Sequence, residues 1–538
     1  MEKRVLLAAV LSGIVVIVWF SLFAPPRPAV APPAPTSAAA TAVPAPSGAV
    51  PSEATPAPAP VPSAPARPAA RGSDPGVVSV EAPGVKAVVS PVGGVLRSLL
   101  LAGYRDEAGA TLELVHKGGA APLEMGTAGA WNEDLYQVER IAGGVRLSWS
   151  DGKGSWVEKT VRAGEGKFAL EVEVKAGGAA ARGGVVVGGG IEQGEGGQPR
   201  GRMAGSDAAV RLNGKLERIG ASKLERAQAL RGAVDFAGVE DQYFLLALLP
   251  SSGIDEVRVW AIGEKATAAP AVAVVGIDGV VRGTLYAGPK EHRILSGYGR
   301  GLDETVSFGL FGFLSVGFLA ALRWIYGWAG NWGVAIIVLT ACIRILLFPL
   351  NHKSAVAMKR MQALQPKLKA IQDRYQERAK KDPTVRARMN QEVMQMYKQE
   401  GVNPMGGCLP MLVQLPILWA LYSLFAYAIE LRQAPFLLWI RDLSIPDTMF
   451  VLPLGSFSFP FRPLALLMGG SMFLQQRLAP QVGDPAQRRM FMMMPFIFTF
   501  MFYGFASGLT LYWLVNNIFT IGQQLLTERM LAKAAATK

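Results

Sequence analysis

The chain has 538 residues, half of them hydrophobic, and a formal net charge of +13. This length allows more than one domain, and so apolar a composition is unusual for a soluble protein of this size, which makes membrane spans the first feature to test. Two cysteines and three scattered histidines argue against a disulfide framework and against a local metal or histidine-based catalytic site.

The first predicted element is a transmembrane anchor over residues 1–24. Lys3 and Arg4 precede an uncharged run from Val5 to Ala24, and 20 residues of helix are about 30 Å long, enough to cross the hydrocarbon core. Basic residues stay on the cytoplasmic side, which predicts a cytoplasmic N-terminus. The alternative is a cleaved signal peptide, whose apolar region is shorter and ends at a small-residue site.

Residues 25–75 are predicted to be a disordered Ala/Pro-rich linker. The segment has 15 prolines between Pro25 and Pro68. Proline lacks a backbone donor and favours extended conformations, and this composition has little to bury. We therefore expect a semi-rigid tether between the anchor and the next domain.

Residues 76–300 are predicted to form an all-β sandwich domain. Short stretches alternate between apolar and polar residues, as in Val145–Trp149, Phe168–Val174 and Glu256–Trp260. Alternation with a period of two indicates half-buried strands, and glycines separate these stretches. No phosphate loop and no nucleophile elbow is visible in this part of the sequence.

The segment from Asp303 to Ala329 is predicted to be an amphipathic helix that lies on the outer surface of the membrane that the chain crosses. Its apolar residues recur at steps of three and four, at Phe311, Leu314, Phe318, Leu322 and Ile325. Arg323 interrupts the run, and the aromatic residues near its end prefer the membrane interface. The alternative is that the helix is part of a long tilted span.

Five further crossings are predicted from length and flanking charge, which makes a polytopic α-helical membrane protein with six transmembrane helices. They are Asn331–Leu350, Leu409–Ala428, Arg462–Leu478 and two short helices within Met490–Leu526, divided between Gly504 and Gly508. Residues 351–404 contain twelve Lys/Arg and five Asp/Glu, so they are predicted to be cytoplasmic. Both termini are then cytoplasmic, and residues 25–300 are periplasmic.

The cytoplasmic segment 351–404 is predicted to contain an antiparallel helical hairpin. One apolar stripe consists of Met358, Met361, Leu364, Leu368, Ile371 and Tyr375, and a second consists of Met389, Val393 and Met396. Packing of the two stripes on each other explains most of the pattern. Because methionine adapts to varied apolar surfaces, binding of an apolar partner segment is the alternative.

Arg344 is the most informative single residue, because it lies within an otherwise uncharged span. A charge at the bilayer centre costs about 2.5–3.5 kcal/mol on insertion scales. Arg344 is six residues from the end of that span, roughly 9 Å along a helix, so its side chain can extend to the cytoplasmic headgroups. The alternative is that it faces a water-filled cavity open to the cytoplasm, and charge alone does not decide between them.

Polar residues in other spans favour the cavity. Thr340 precedes Arg344 by one helical turn and shares its face, while Gln414 lies in the third span and Asn516 and Asn517 lie in the sixth. Amides in a helix bundle also serve as contacts between helices. Several spans that each contribute one polar group nevertheless predict a shared hydrated groove, and short helices beside it would thin the bilayer.

The region 303–538 resembles the YidC insertase family in the order and spacing of its motifs. These are Asn331-Trp332-Gly333, Gln365-Pro366-Lys367, Val402–Cys408, Gln414–Ile417, Leu431–Phe436, Asp484-Pro485, Met494-Pro495 and Ser507–Trp513. Upstream, Tyr286-x-Gly288-Pro289-Lys290 is similar to the end of the family's large periplasmic domain. The linker and much of the β domain match the family only in layout.

The resemblance implies a five-helix insertase core over residues 301–538 and a periplasmic β-sandwich domain. It implies a protein that inserts and folds integral membrane proteins in the bacterial inner membrane, alone or with the Sec translocon. Clients would bind in a hydrophilic groove, where the resemblance and the polar residues in the spans place Arg344, Thr340, Gln414, Tyr512, Trp513 and Asn517.

The implied partners are nascent membrane-protein clients, the Sec translocon with its accessory subunits, the lipid bilayer, and a ribosome or targeting factor at the cytoplasmic hairpin. No specific nucleic-acid sequence, metal or other cofactor is expected.

Two other function classes fit the sequence less well. A transporter or channel predicts repeated halves and several intramembrane charges, whereas the predicted spans hold one such charge, Arg344, and no evident repeat. An intramembrane protease built on Ser507 would need a partner base, and no histidine lies in a predicted span. A glycine–serine turn between two helices accounts for Ser507, so we expect no enzymatic activity.

Overall fold

The structure is a computed structural model that describes residues 77–106, 108–191, 205–263, 268–379, 382–402, 409–454, 457–479 and 485–536. The predicted anchor 1–24 and linker 25–75 lie outside the described residues, as does Cys408. Strands make up the first part of the described chain and helices the second. The prediction of a β-rich domain followed by a helical region is therefore confirmed.

The strands of the β-rich domain lie between Val78 and Pro289. They are β1 Val78–Ala82, β2 Val85–Ser90, β3 Val95–Arg105, β4 Thr111–Glu113, β5 Gln137–Ile141, β6 Gly144–Ser150, β7 Trp156–Ala163, β8 Ala169–Gly177, β9 Val185–Gly189, β10 Asp207–Leu212, β11 Lys215–Gly220, β12 Gln228–Leu230, β13 Val234–Glu240, β14 Phe244–Pro250, β15 Ile254–Ile262, β16 Ala269–Gly276 and β17 Val280–Pro289. The three alternating stretches singled out in the sequence coincide with β6, β8 and β15.

Three antiparallel sheets pack together in this domain. A nine-stranded sheet has the order β11-β10-β13-β14-β17-β8-β7-β6-β5, and two four-stranded sheets have the orders β1-β2-β3-β4 and β12-β15-β16-β9. Strand β1 lies against β6 and β7, whereas β9 and β16 lie against β13. The apolar side chains between the sheets, such as Leu147, Val161 and Val259, are fully buried, so the domain has a closed hydrophobic core.

The α-helices of the described chain follow the β-rich domain. They are α1 His292–Tyr298, α2 Gly312–Ala329, α3 Trp332–Ala363, α4 Gln365–Ala379, α5 Pro383–Gln399, α6 Leu409–Tyr427, α7 Pro463–Leu478, α8 Pro485–Phe502 and α9 Ser507–Ala536. Helix α9 packs along α3 and α7 and also meets α6, while α2 packs on α3 and α6. This arrangement places α9 in the middle of the helical region.

Two helices are longer than predicted. Helix α3 continues past Leu350 to Ala363 without a break, although Pro349 lies inside it, and Met358 and Met361 of the predicted hairpin stripe belong to it. Helix α9 has 30 residues, so the prediction of two short helices within 490–526 is wrong for the second. Local hydrogen bonding continues these helices beyond the point where their sequences become polar.

Within the part of the chain that the structure describes, two helices are long and apolar enough to cross a membrane, judged by length and composition. They are α3 and α6, with mean hydropathies of 2.4 and 1.7 over their most apolar segments. The apolar part of α8, Phe491–Phe502, is shorter. The count of six crossings stays a prediction.

Helix α2 is held between α3 and α6 by one face. Its buried residues are Ser315, Leu319, Leu322 and Ile325, and the Ser315 hydroxyl donates to the Ala420 carbonyl at 2.9 Å. Only Leu322 and Ile325 of the predicted stripe are fully buried, and Trp324 and Trp328 are exposed. The placement of α2 on the membrane surface stays a prediction.

Arg323 connects α2 to two neighbouring segments. Its Nε donates to Glu430 Oε1 at 2.9 Å, and its Nη2 lies 3.6 Å from Glu291 Oε1. Arg323 therefore ties the helix to the segment after α6 and to the residue that begins α1.

Helices α4 and α5 form the predicted antiparallel hairpin. Asp382 caps α5, because its side chain accepts a hydrogen bond from the Thr384 amide at 2.8 Å. Leu364, Ile371, Met396, Tyr397 and Val402 form a separate small core, with Leu368, Tyr375, Met389 and Val393 packed against it. Both stripes are thus used in packing within the hairpin, and a partner-binding role for them stays a prediction.

The segment between α6 and α7 contains a β-hairpin that sequence analysis did not predict. Its strands are β18 Phe450–Leu454 and β19 Phe457–Phe461. The start of the same segment contacts the β-rich domain, because Arg432 Nη2 and Gln433 Nε2 both donate to the Arg105 carbonyl, at 2.9 and 3.1 Å.

Candidate functional site

The candidate site is built around Arg344, halfway along α3 and facing α9. Asn331 begins this helix by accepting a hydrogen bond from the Val334 amide at 3.1 Å. The Arg344 Nε donates to Oδ1 of Asn516 at 2.6 Å, and Arg344 is half-buried. Asn516 is only 7% exposed, so this hydrogen bond lies within the interface between α3 and α9.

The charge of Arg344 is not compensated by an acid. The apolar segments 332–350, 409–427, 463–478 and 491–526 contain no Asp or Glu. Among the described residues, Arg344 forms one hydrogen bond, the one to Asn516, and no ion pair. A full positive charge is thus held by a neutral amide.

A second polar pair lies one helical turn away on α9 and joins it to α6. Gln414 Nε2 donates to the Tyr512 hydroxyl at 2.6 Å, and Tyr512 is buried. Residues 512 and 516 share a face of α9 because they are four apart. One face of α9 therefore brings the Arg344–Asn516 and Gln414–Tyr512 pairs into one cluster.

The other predicted site residues are placed differently. Thr340 is buried, and its hydroxyl donates to the Ile336 carbonyl of its own helix at 2.6 Å. Trp513 packs edge-on against Phe502 with ring centroids 5.5 Å apart, and its Nε1 is buried with no hydrogen-bond partner among the described residues.

Asn517 points away from Arg344 and joins α9 to α7. It is 2% exposed and donates from Nδ2 to Ser471 Oγ at 2.9 Å. The neighbouring residue, Asn516, is the one that bonds Arg344. The sequence showed both amides in the span, and the spacing of four from Tyr512 to Asn516 was the available signal for choosing between them. Whether any of these residues contacts a client stays a prediction.

Large apolar side chains are exposed on the outside of the helical region. Ile345 and Leu346, which follow Arg344 in α3, are exposed, the latter by 77%, and Met411 on α6 is also exposed. Two cavities of about 480 Å³ open elsewhere in this region, one lined by Lys359, Arg477 and Glu528 and the other by Phe461, Leu467 and Ser471. Arg344 lines neither of them, and the hydrated groove stays a prediction.

Ser507 has a structural role in the described chain. It is fully buried, its hydroxyl donates to the Ile445 carbonyl at 2.6 Å, and its amide donates to the same carbonyl at 2.8 Å. The first turn of α9 is thereby fixed to the segment before α7. This accounts for the serine without a nucleophilic role.

Comparison with known proteins gives several relatives that are named as membrane protein insertases. The chain is 43% identical over 303 residues to the membrane protein insertase YidC of Pelobacter propionicus, covering 55% of this chain and 54% of that protein. It is 40% identical over 316 residues to that of Syntrophus aciditrophicus, covering 57% and 55%. The chain thus spans about half the length of the curated relatives it matches.

A solved structure described as an active YidC insertase with its first transmembrane domain resolved is 17% identical, with a TM-score of 0.36, covering 84% of this chain and 92% of that one.

Two family models match successive parts of the chain. Residues 77–320 match the YidC periplasmic domain, and residues 324–534 match the 60Kd inner membrane protein family. The matched ranges correspond to the β-rich domain with α1 and the start of α2, and to the helical region that holds Arg344. Together they account for most of the sequence, and the chain belongs to the YidC insertase family.

Proposed function

We propose that this protein inserts and folds integral membrane proteins in the bacterial inner membrane, using the cluster around Arg344 as its client-binding site. The observation that carries the proposal is the uncompensated guanidinium of Arg344, held by Asn516 between two helices whose apolar segments contain no acid. Such a charge is costly within a membrane and is kept there for a function. The names of the relatives support the same activity.

The proposed topology has six crossings, with residues 25–300 in the periplasm and both termini in the cytoplasm. The excess of basic residues in 351–404 supports a cytoplasmic hairpin, because Lys and Arg are retained on that side. The apolar lengths of α3 and α6 support two of the crossings. On this topology Arg344 lies in the cytoplasmic half of the predicted span Asn331–Leu350.

The proposed mechanism needs no covalent step. A polar tail or loop of the client enters a groove from the cytoplasm, and Arg344 attracts its carboxylates, while Gln414 and Tyr512 offer further hydrogen bonds. The apolar segment of the client then moves into lipid along α6 and α9. Burial of apolar surface yields about 25 cal/mol per Å², which drives the reaction without a nucleotide.

The proposed partners follow the positions of the domains. The α4–α5 hairpin would contact a ribosome or targeting factor, and the β-rich domain would contact the Sec translocon and its accessory subunits. Insertion alone and insertion beside the translocon are both compatible with this arrangement. No specific nucleic-acid sequence is needed.

The test is insertion of a small client with an acidic N-terminal tail into liposomes that contain only the full-length protein. We expect insertion above that into empty liposomes. Arg344→Ala should lower it by about 10- to 100-fold, since a hydrogen bond to a charged group contributes about 1.5–3 kcal/mol. Arg344→Lys should retain part of the activity, and Arg477→Ala, at the end of α7, serves as the arginine control. Equal insertion with and without the protein would contradict the proposed function.

A further inference from the structure

The partner of Arg344 is a neutral amide where a carboxylate would also fit. An arginine inside an apolar region is commonly satisfied by an acid, which accepts two parallel N–H bonds along one edge of the guanidinium and cancels its charge. Asn516 instead accepts from Nε alone, at 2.6 Å. The site therefore keeps its full positive charge while the side chain is fixed in place.

The two terminal nitrogens of Arg344 remain available. Within the described chain neither Nη1 nor Nη2 has a hydrogen-bond partner. Neither is among the buried polar atoms without a partner, so both reach the surface of the chain. A guanidinium that is held at Nε and has both Nη atoms free can donate two parallel hydrogen bonds to an incoming carboxylate.

The surroundings of the Arg344–Asn516 pair are neutral as well. Thr520 on α9 donates from its hydroxyl to the Asn516 carbonyl at 2.7 Å, and Tyr512 on α9 and Gln414 on α6 bond each other at 2.6 Å; all three side chains are neutral. The segment of α9 from 507 to 526 contains no charged residue. No other side chain on this part of the helix offsets the charge of Arg344.

We propose that Asn516 is a positioning residue that determines the charge preference of the site: it orients Arg344 without neutralising it, so that client segments carrying carboxylates are preferred over neutral ones. This inference rests on the proposed insertase function. It differs from a purely structural role for Asn516, in which a neutral and a charged acceptor at that position would serve equally well.

The test compares two clients that differ only in their N-terminal tails, one carrying glutamates and the other glutamines at the same positions. The full-length protein is reconstituted in liposomes, and the ratio of acidic-tail to neutral-tail insertion is measured. We expect a ratio of about ten for the unmodified protein, because that ratio corresponds to the free energy of one hydrogen bond to a charged group. Asn516→Asp still offers an acceptor to Nε but adds a negative charge, and the ratio should fall to about one or below.

Two neutral variants and one control complete the design. Asn516→Ser keeps a neutral acceptor and leaves the charge of Arg344 intact, so the ratio should persist even where total insertion falls. Asn516→Leu removes the acceptor that orients Arg344, so the ratio should fall toward one. Gln391→Glu makes the same amide-to-carboxylate change at an exposed residue of α5, away from Arg344, and should leave the ratio unchanged.

The outcomes separate the two proposals. An unchanged ratio in Asn516→Asp, or an equal loss of both clients in that variant, would overturn the role of Asn516. Loss of the ratio in Asn516→Ser would also overturn the role of Asn516. The Asn516→Ser result can be read even where Asn516→Asp yields no folded protein. Failure of the unmodified protein to insert either client would instead refute the proposed function.

Discussion

The β-rich domain and the helical region distribute apolar and polar side chains in opposite ways. In the β-rich domain, Leu147, Phe236 and Val259 are fully buried between sheets. In the helical region, large apolar side chains such as Phe500, 86% exposed, lie on the outside. Polar side chains such as Asn516 and Asn517 lie between the helices instead.

The difference indicates that the two regions are stabilised in different surroundings. Burial of apolar surface from water drives packing of the β-rich domain. Lipid is as apolar as a leucine side chain, so helices in a membrane associate through close contacts of small residues and through hydrogen bonds. The contacts Asn517–Ser471 and Ser315–Ala420 are of that kind. The comparison can be tested separately in each region.

The largest effect is expected from the buried ion pairs of Glu240 in the β-rich domain. Glu240 is 3% exposed, and its carboxylate lies 2.6 Å from Arg218 Nε and 2.9 Å from Lys290 Nζ. Glu240→Gln removes the charge and leaves Lys290, which is also buried, without its ion-pair partner. The free energy of unfolding should fall by about 3–5 kcal/mol, measured by denaturant unfolding of the full chain in detergent.

Glu217→Gln is the matched control for Glu240. Glu217 lies 3.9 Å from Lys215, and both side chains are exposed. Exposed pairs contribute less than about 1 kcal/mol, so this variant should unfold close to the unmodified protein. Similar losses in the two variants would show that the Glu240 cluster is not shielded from water.

The next effect concerns Lys159, a lysine buried in the core of the same domain. Lys159 on β7 is 0% exposed, and its Nζ donates to the Gly93 carbonyl at 2.7 Å and lies 4.9 Å from the centre of the Tyr136 ring. Burial lowers the pKa of Lys159 from 10.5 to about 7, against the opposing effect of Glu124. Between these two pH values the unfolded chain holds a proton that the folded chain has released.

The stability of the domain should therefore rise with pH in that window. A single group contributes a slope of up to about 1.4 kcal/mol per pH unit, or about 2–3 kcal/mol between pH 7 and 9. Lys159→Met should remove this contribution and be most stabilising at pH 7. Comparing the pH slopes of unfolding in the two proteins isolates Lys159 from other titrating groups, and identical slopes would contradict a lowered pKa.

The sequence predicts the two regions with different success, for physical reasons. Alternation identifies strands such as β6 and β15 because the side-chain period is local. The pairing of β8 with β17 is not predictable this way, since Leu170 meets Leu285 only through the long-range topology. The hairpin β18–β19 was missed because β18 is apolar throughout and because each strand contains a proline, which argues against a strand in a sequence.

In the helical region, polarity indicates membrane depth better than it indicates where a helix ends. The basic residues from Lys353 onward predict a cytoplasmic segment on the proposed topology. Helix α3 nevertheless continues to Ala363, because its backbone hydrogen bonds do not depend on the solvent. Arg344, Gln414 and Tyr512 were found as polar residues in apolar segments. Asn516 and Asn517 point about 100° apart on one helix, so the positions of α3 and α7 decide which amide bonds Arg344, and the spacing of four from Tyr512 to Asn516 was the indication that the sequence offered.

The smallest effect is expected from two adjacent glycines on α7, which test close packing in the helical region. A methyl group added at Gly469 would lie 2.0 Å from Thr499 Oγ1 on α8, whereas one added at Gly470 would meet no atom within 4 Å. Gly469→Ala should cost about 1–3 kcal/mol, as overpacking does. Gly470→Ala should be neutral or stabilising by up to about 1 kcal/mol, because alanine favours the helix.

Both glycine substitutions add the same atoms and the same helix propensity, so their difference in thermal unfolding reports the contact between α7 and α8 alone. The Thr499 side chain resists displacement because its hydroxyl donates to the Pro495 carbonyl at 2.7 Å, a bond that a methyl group at residue 469 would break. If the two variants unfold at the same temperature, α7 and α8 are not in close contact in the membrane. Hydrogen bonds such as Asn517–Ser471 would then have to hold this part of the helical region together.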